Sequence, residues 1–303
     1  MVNKTAALSW KNYLELCKPK VVLLIVFTAI VGMLLATPEQ PPLDLFIWST
    51  LGIALASSSA AAINHYLDQK ADAEMARTEN RPLPQGSLSS GKVIGFALFL
   101  GAVSMIILVT KVNMLTAILT LLSLVGYAIL YTVYLKHATP QNIVIGGAAG
   151  AAPPVLGWCA ITGEVHPHAL LLFLIIFVWT PPHFWALAIA KKEEYAKADI
   201  PMLPVTHGVE FTRLQILLYT ILLFIVTLLP YLTGMSGLIY LAAAVPLGII
   251  FIYYAIKMMR QKDNKTAMKT FGFSIIYLMI LFAALLIDHY AYVYFSSTPQ
   301  LSQ

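Results

Sequence analysis

Charge is what this chain has least of. Nineteen Lys and Arg with 14 Asp and Glu make up 11% of its 303 residues, against about 25% in an ordinary soluble domain. A polar surface able to hold the chain in water is therefore excluded. Cysteine is nearly missing as well. Cys17 and Cys159 are the whole complement, and their expected places near opposite membrane faces exclude a disulfide between them and a Cys metal site. An Arg- and Ser-rich leading stretch is also lacking, which favours a bacterial inner membrane over an organelle. Leu34-Leu35-Ala36 is not an A-x-A cleavage site, so the first apolar run reads as a retained helix and not a signal peptide.

What remains is apolar. Hydrophobic residues make up 59% of the chain and its mean hydropathy is +0.79. They fall in runs near the roughly 20 residues a spanning helix needs. In lipid every backbone group must find its partner internally, so such runs form helices. The expected architecture is a single all-α, polytopic membrane domain over 1–303, a bundle of nine transmembrane helices around a central cavity. They are placed at about 21–37, 44–66, 93–111, 113–135, 141–162, 168–190, 213–234, 237–257 and 270–295. With the N-terminus cytoplasmic and the C-terminus periplasmic, 18 of the 19 Lys and Arg fall inside, and only Lys111 lies outside, beside Glu39, Asp44 and Glu164. That asymmetry follows the positive-inside rule. The net charge of +5 is then a matter of topology and anionic lipid, and no nucleic-acid partner is implied.

Two cytoplasmic connections, 67–92 and 191–212, are long in a chain of short turns, and such loops tend to carry function. They hold eight of the 14 acidic residues. Near the first, Asn64, Asp68 and Asp72 are spaced by four and share one face if the second helix continues, about 6 Å apart along it. Two neighbouring carboxylates suit Mg²⁺, which accepts one or two of them and fills its shell with water and phosphate oxygens. Arg77 and Arg81 follow, also four apart, as holders of the same phosphates. A solvated helix end would give a similar pattern. The position of Asn64 and Asp68 at the membrane boundary favours a site.

The second loop follows Trp179-Thr180-Pro181-Pro182-His183-Phe184-Trp185, where the prolines are expected to break the helix and free carbonyls. His183 reads as a metal ligand or as a buried imidazole bonded to one of those carbonyls. Beyond come Lys191, Glu194, Tyr195 and Asp199. Glu194 and Asp199 offer a second carboxylate pair, able with the first to clamp a diphosphate between two metal ions. The blander alternative is Glu193–Lys197 pairing on an exposed helix. Gly146-x-x-x-Gly150 indicates close helix packing. His65 and His207 are lesser candidates for substrate contact, and His137, His166, His168 and His289 look interfacial.

Asn64-x-x-x-Asp68-x-x-x-Asp72 with Arg77 and Arg81-Pro82-Leu83 resembles the first signature of the intramembrane aromatic prenyltransferases. Lys18-Pro19-Lys20-Val21-Val22, Thr139 to Gly147, Trp179 to Trp185 and Ile200-Pro201-Met202-Leu203-Pro204-Val205 are similar to the bacterial branch that farnesylates protohaem. The likeness runs from about 12 to 290. One departure stands out. The superfamily's second motif is Asp-x-x-x-Asp, whereas Glu194 and Asp199 are five apart. The resemblance implies transfer from farnesyl diphosphate to protohaem, giving haem O and diphosphate. It implies Mg²⁺ on Asn64, Asp68, Asp72, Glu194 and Asp199. Arg77, Arg81, Lys136, Lys191 and Tyr195 would attend the diphosphate, and His183 the haem. The site would face the cytoplasm, and a haem-handling protein partner is left open. Two rivals stand beside this reading: a quinone-type prenyltransferase with the same metal site, and a cation-coupled transporter. The second is disfavoured because transporters place ionisable groups near the midplane, whereas these acids gather at one interface.

Overall fold

The structure is a computed structural model that describes residues 10–76 and 78–297. The described residues form helices joined by turns, with no strand. In chain order the helices are α1 (Trp10–Leu16), α2 (Pro19–Leu35), α3 (Leu43–Leu67), α4 (Gln69–Glu74), α5 (Ser90–Val112), α6 (Met114–Ala138) and α7 (Asn142–Thr162). There follow α8 (Pro167–Ala190), α9 (Lys192–Lys197), α10 (Leu203–Thr206), α11 (Val209–Leu232), α12 (Leu238–Gln261) and α13 (Asn264–Ser297). Eight of them are individually long and apolar enough to cross a membrane. Together α1 and α2, bent by 52° at Cys17 and Lys18, make a ninth candidate. Large apolar side chains stay exposed along them, Leu98, Phe99 and Ile106 on α5 among them. Helices apolar on every side belong in lipid, where such exposure carries no hydrophobic cost.

Small residues let the helices approach. A Cβ on Gly157 would lie 2.0 Å from the Ala29 carbonyl oxygen, and one on Gly32 would lie 2.1 Å from that of Pro154. Glycine at both positions brings the α2 and α7 backbones together, as in other membrane bundles. The helix ends find partners across the bundle. Asp288 of α13 accepts the Gly237 and Tyr240 N–H groups and so caps α12 from outside. Asp263 accepts the Thr266 N–H at the start of α13, and that hydrogen bond holds its carboxyl below the usual carboxylate range. Lys111, alone on its side by the charge reading, sets its ammonium 5.9 Å from the Trp48 ring centroid, a cation–π contact suited to an interface. The two cysteines are free.

Two local departures bear on the site. Helix α8 runs unbroken through Pro181 and Pro182, contrary to the break expected there. Neighbouring helices can satisfy the groups that prolines release inside a membrane, and Thr180 Oγ1 donates to the Ile176 carbonyl at 2.8 Å just before the pair. Helix α6 leaves α geometry for a ten-residue π-helix at Gly126–Leu135. There Thr132 Oγ1 donates to the carbonyl of Tyr127, five residues back, at 2.9 Å. Long π segments are rare and mark functional sites more often than chance.

Candidate active site

The α3 hydrogen-bond ladder passes through its own end. Asp68 N–H donates to the Asn64 carbonyl at 2.9 Å and Asp72 N–H to the Asp68 carbonyl at 2.8 Å, although α3 gives way to α4 at Asp68. Asn64, Asp68 and Asp72 thus keep the shared face that their spacing of four implied. All three are buried, at 4%, 6% and 4% exposure. Buried charge demands a partner, and each carboxylate has one. Lys136 Nζ lies 2.6 Å from Asp68 Oδ1, and Arg81 Nη1 lies 2.6 Å from Asp72 Oδ2. Asn64 Nδ2 donates to Asp68 Oδ2 at 2.7 Å and to Thr132 Oγ1 at 3.2 Å. Thr78 Oγ1 closes the loop by donating to the Asp72 carbonyl at 2.9 Å.

The π segment explains how α6 reaches this cluster. With its wider turn, residues four and five apart lie on one side. Tyr127, Tyr131, Thr132 and Lys136 form a stripe that ends on Asp68.

Three members, Lys18, Thr132 and Thr78, were not among the site residues expected from the sequence. Lys18 entered the sequence reading only as an inward charge and as part of a family motif. It adopts the left-handed conformation at φ 48° in the break before α2, and its ammonium donates to Asn64 Oδ1. A Lys at the membrane boundary followed by Pro was the available signal, because the residue before proline is steered away from α geometry. Thr132 had no signal beyond standing four before Lys136.

The second loop is arranged differently. Lys191 Nζ lies 2.6 Å from Glu194 Oε1, in place of the Glu193–Lys197 pair considered above. Glu194 Oε2 is buried without a hydrogen-bond partner. Tyr195 is buried at 3% exposure, and Asp199 is exposed at φ 51°. Tyr195, Ala198 and Ile200 share an apolar cluster with Ala71 and Met75 of the first loop, so both loops close one end of the bundle. They do not bring the four carboxylates together. Among the described residues no three His, Cys, Asp or Glu side chains gather as metal ligands. Arg77 lies outside the described residues.

Beside the cluster the bundle holds a cavity of about 710 Å³ whose lining includes Lys18, Tyr127, Tyr131, Trp179, His183 and Phe271. The His183 ring stacks on Trp179 at 4.1 Å and on Phe271 at 4.6 Å between centroids. Its Nδ1 is 2.6 Å from Ser274 Oγ, a hydroxyl and not the freed carbonyl expected. Ser274 Oγ gives its one proton to the Phe271 carbonyl at 2.6 Å, so it accepts from Nδ1–H. The free lone pair of His183 is then on Nε2.

The comparisons with known proteins give the family and the fold. A model of the UbiA prenyltransferase family matches residues 25–295. Protoheme IX farnesyltransferase of Methylococcus capsulatus is 69% identical over 283 residues, 93% of this chain and 95% of that protein. The protein of the same name from Nitrosococcus oceani is 62% identical over 285 residues, 94% and 95% of the two chains. Among solved structures, a digeranylgeranylglyceryl phosphate synthase aligns with a TM-score of 0.78 at 20% identity, covering 93% of this chain and 99% of that one. A UbiA homolog from Archaeoglobus fulgidus bound to DMAPP and Mg²⁺ aligns with a TM-score of 0.66 at 18% identity, covering 90% and 99%. At those identities the likeness shows a shared fold. The chain belongs to the UbiA prenyltransferase family, a class of membrane-embedded enzymes. Within it, the near full-length relatives place it among the protoheme IX farnesyltransferases. The transporter alternative falls with that assignment.

Proposed function

We infer that the chain transfers the farnesyl group of farnesyl diphosphate to a vinyl group of protohaem, giving haem O and diphosphate, at the cytoplasmic face of a bacterial inner membrane. The observation that carries this reading is the buried cluster of alternating charge at one end of the 710 Å³ apolar cavity. Fixed cations next to fixed carboxylates suit a diphosphate that arrives with its metal. The donors Asn64, Asp68 and Asp72 are all oxygen or amide groups, which fits Mg²⁺. The unpartnered, buried Glu194 Oε2 fits a cation on the second loop. Bound there, Mg²⁺ would neutralise charge on the departing diphosphate.

The chain's own residues do the rest. Arg81, Lys136 and Lys18, with Arg77 by its place in the motif, bind the phosphate oxygens and favour their growing charge as the C–O bond breaks. Preorganised charge of this kind is usually the largest catalytic contribution. Lys191 and Tyr195 close the site from the second loop. The apolar lining excludes water from the farnesyl chain, and His183, with its Nε2 lone pair free, would hold the haem through its iron.

Supplying the full-length protein in membranes with farnesyl diphosphate, protohaem and Mg²⁺, then chromatographing the extracted haem, tests the reading. Haem O from the wild type and none from Asp68→Asn is the expected result. Consumption of the diphosphate with haem unmodified would put the acceptor elsewhere. For His183, ferric haem titrated into the detergent-solubilised protein should show an imidazole-bound spectrum that His183→Ala lacks. Identical spectra would remove the ligand role.

A further inference from the structure

We propose that Lys20 anchors a propionate of protohaem at the mouth of the cavity and so turns the vinyl edge of the acceptor toward the diphosphate seat. This rests on protohaem being the acceptor, as inferred above, and adds to that reading a group that recognises it.

The cavity is short of charge. Among the described residues no Asp or Glu lines it, and the Lys and Arg side chains in its lining are Lys18 and Lys20. The two lysines are committed differently. Lys18 donates its ammonium to Asn64 Oδ1, inside the charged cluster. Lys20 has no carboxylate within salt-bridge distance among the described residues. It is exposed and yet lines the cavity, so it stands where the cavity opens. A cation without an anion therefore sits on the rim of a space that is otherwise mostly apolar.

The diphosphate does not require it. Lys18, Lys136 and Arg81 already meet at the seat from three parts of the chain. Protohaem brings anions that the seat does not serve. Its two propionates are carboxylates, ionised at neutral pH, and they lie on the porphyrin edge opposite the vinyl groups. A carboxylate buried without a partner is costly. A haem held at His183 with a vinyl group toward the seat must therefore bring its propionates to a cation or to water, and the mouth offers both.

The elements are placed for this. Helix α2, which carries Lys20, packs against α13, which carries Phe271. Phe271 stacks on His183, and both line the same cavity as Lys20. One propionate would meet the ammonium and the other the interfacial water. The ordinary role of a lysine at this depth is to reach for lipid headgroups, and the two roles give different results.

The test titrates ferric protohaem and its dimethyl ester, in which both propionates are capped, into the detergent-solubilised full-length protein. Wild type, Lys20→Met and Lys20→Arg are compared. Methionine keeps an unbranched side chain and removes the charge, whereas arginine keeps the charge. The Kd for protohaem should rise about fivefold in Lys20→Met and stay within about twofold in Lys20→Arg. The dimethyl ester should bind wild type and Lys20→Met alike, because the ammonium then has no carboxylate to meet. In membranes, Lys20→Met should raise the KM for protohaem and leave that for farnesyl diphosphate unchanged. An unchanged Kd for protohaem in Lys20→Met overturns the proposal and returns the lysine to the headgroups. An equal loss with the ester, or a rise in KM confined to farnesyl diphosphate, overturns it as well. A wild type that neither binds protohaem nor makes haem O overturns the underlying reading and this proposal with it.

Discussion

The two acid-bearing loops close the same end of the bundle, yet they hold their carboxylates in opposite ways. On the first, Asp68 and Asp72 are 6% and 4% exposed and each is gripped by a cation from elsewhere in the chain, Lys136 from α6 and Arg81 from the loop itself. On the second, Glu194 is 22% exposed at its side chain and pairs with its near neighbour Lys191, while Asp199 is exposed. Coulomb attraction grows as water is excluded, and a buried charge left alone is costly. The first loop is therefore built as a rigid electrostatic seat. The second is a looser cover whose pair is of a kind worth about 0–1 kcal/mol.

The largest effect should come from neutralising the seat. Asp68→Asn and Asp72→Asn keep side-chain shape and should each lower kcat by roughly 10²–10³-fold, the range seen when one preorganised charge-stabilising group is removed. Haem O formed per mole of folded enzyme is the measurement. Either variant within threefold of wild type would end the assignment of the first loop as the metal seat. Lys18→Met comes next. It removes a cation on the phosphate side and spares both carboxylates, so kcat/KM for farnesyl diphosphate should fall about tenfold or more, charge-assisted contacts being the strong ones. An unchanged kcat/KM would reduce Lys18 to a brace for Asn64.

A double-mutant cycle compares the loops directly. Lys136→Met combined with Asp68→Asn should show a coupling of roughly 1–3 kcal/mol in thermal or denaturant stability. Lys191→Met combined with Glu194→Gln should stay below about 0.5 kcal/mol. Equal couplings would mean that solvent reaches both loops alike and would dissolve the distinction.

How much of this was legible in the sequence depends on what sets each feature. Spanning helices are set by long apolar runs and by where Lys and Arg fall, and both can be counted along the chain. The eight long helices and the bent pair Trp10–Leu16 with Pro19–Leu35 lie close to the expected segments. The shared face of Asn64, Asp68 and Asp72 follows from helical geometry and needed only the helix to continue. The π segment at Gly126–Leu135 was not legible, because an apolar run reads alike whether its ladder closes at four residues or five. Without that register nothing points to Thr132, or to Tyr127 and Tyr131 as one stripe. Lys18 was hidden because charge counting records the side of the membrane a lysine occupies and not where its ammonium goes. The uninterrupted helix at Pro181 and Pro182 shows the converse. A strong local rule gave way to packing that only the folded bundle supplies.

The smallest effects belong to the second loop, and they are the sharpest test of the contrast. Glu194→Gln keeps a hydrogen-bonding side chain beside Lys191 but removes the charge on the buried, unpartnered Oε2. If that oxygen meets a cation in the loaded enzyme, kcat should fall about tenfold, less than for Asp68 because the Glu194 side chain is 22% exposed and that of Asp68 7%. Asp199→Asn should cost no more than about threefold, since an exposed carboxylate already surrounded by water has little to add to a buried site. Measuring both at varied Mg²⁺ separates the cases, because a metal ligand raises the Mg²⁺ needed for half-maximal rate and a surface charge does not. Should Asp199→Asn prove as damaging as Asp68→Asn, the loop must carry Asp199 inward when substrate binds. The contrast would then describe the empty enzyme, with the second loop completing the seat only on loading.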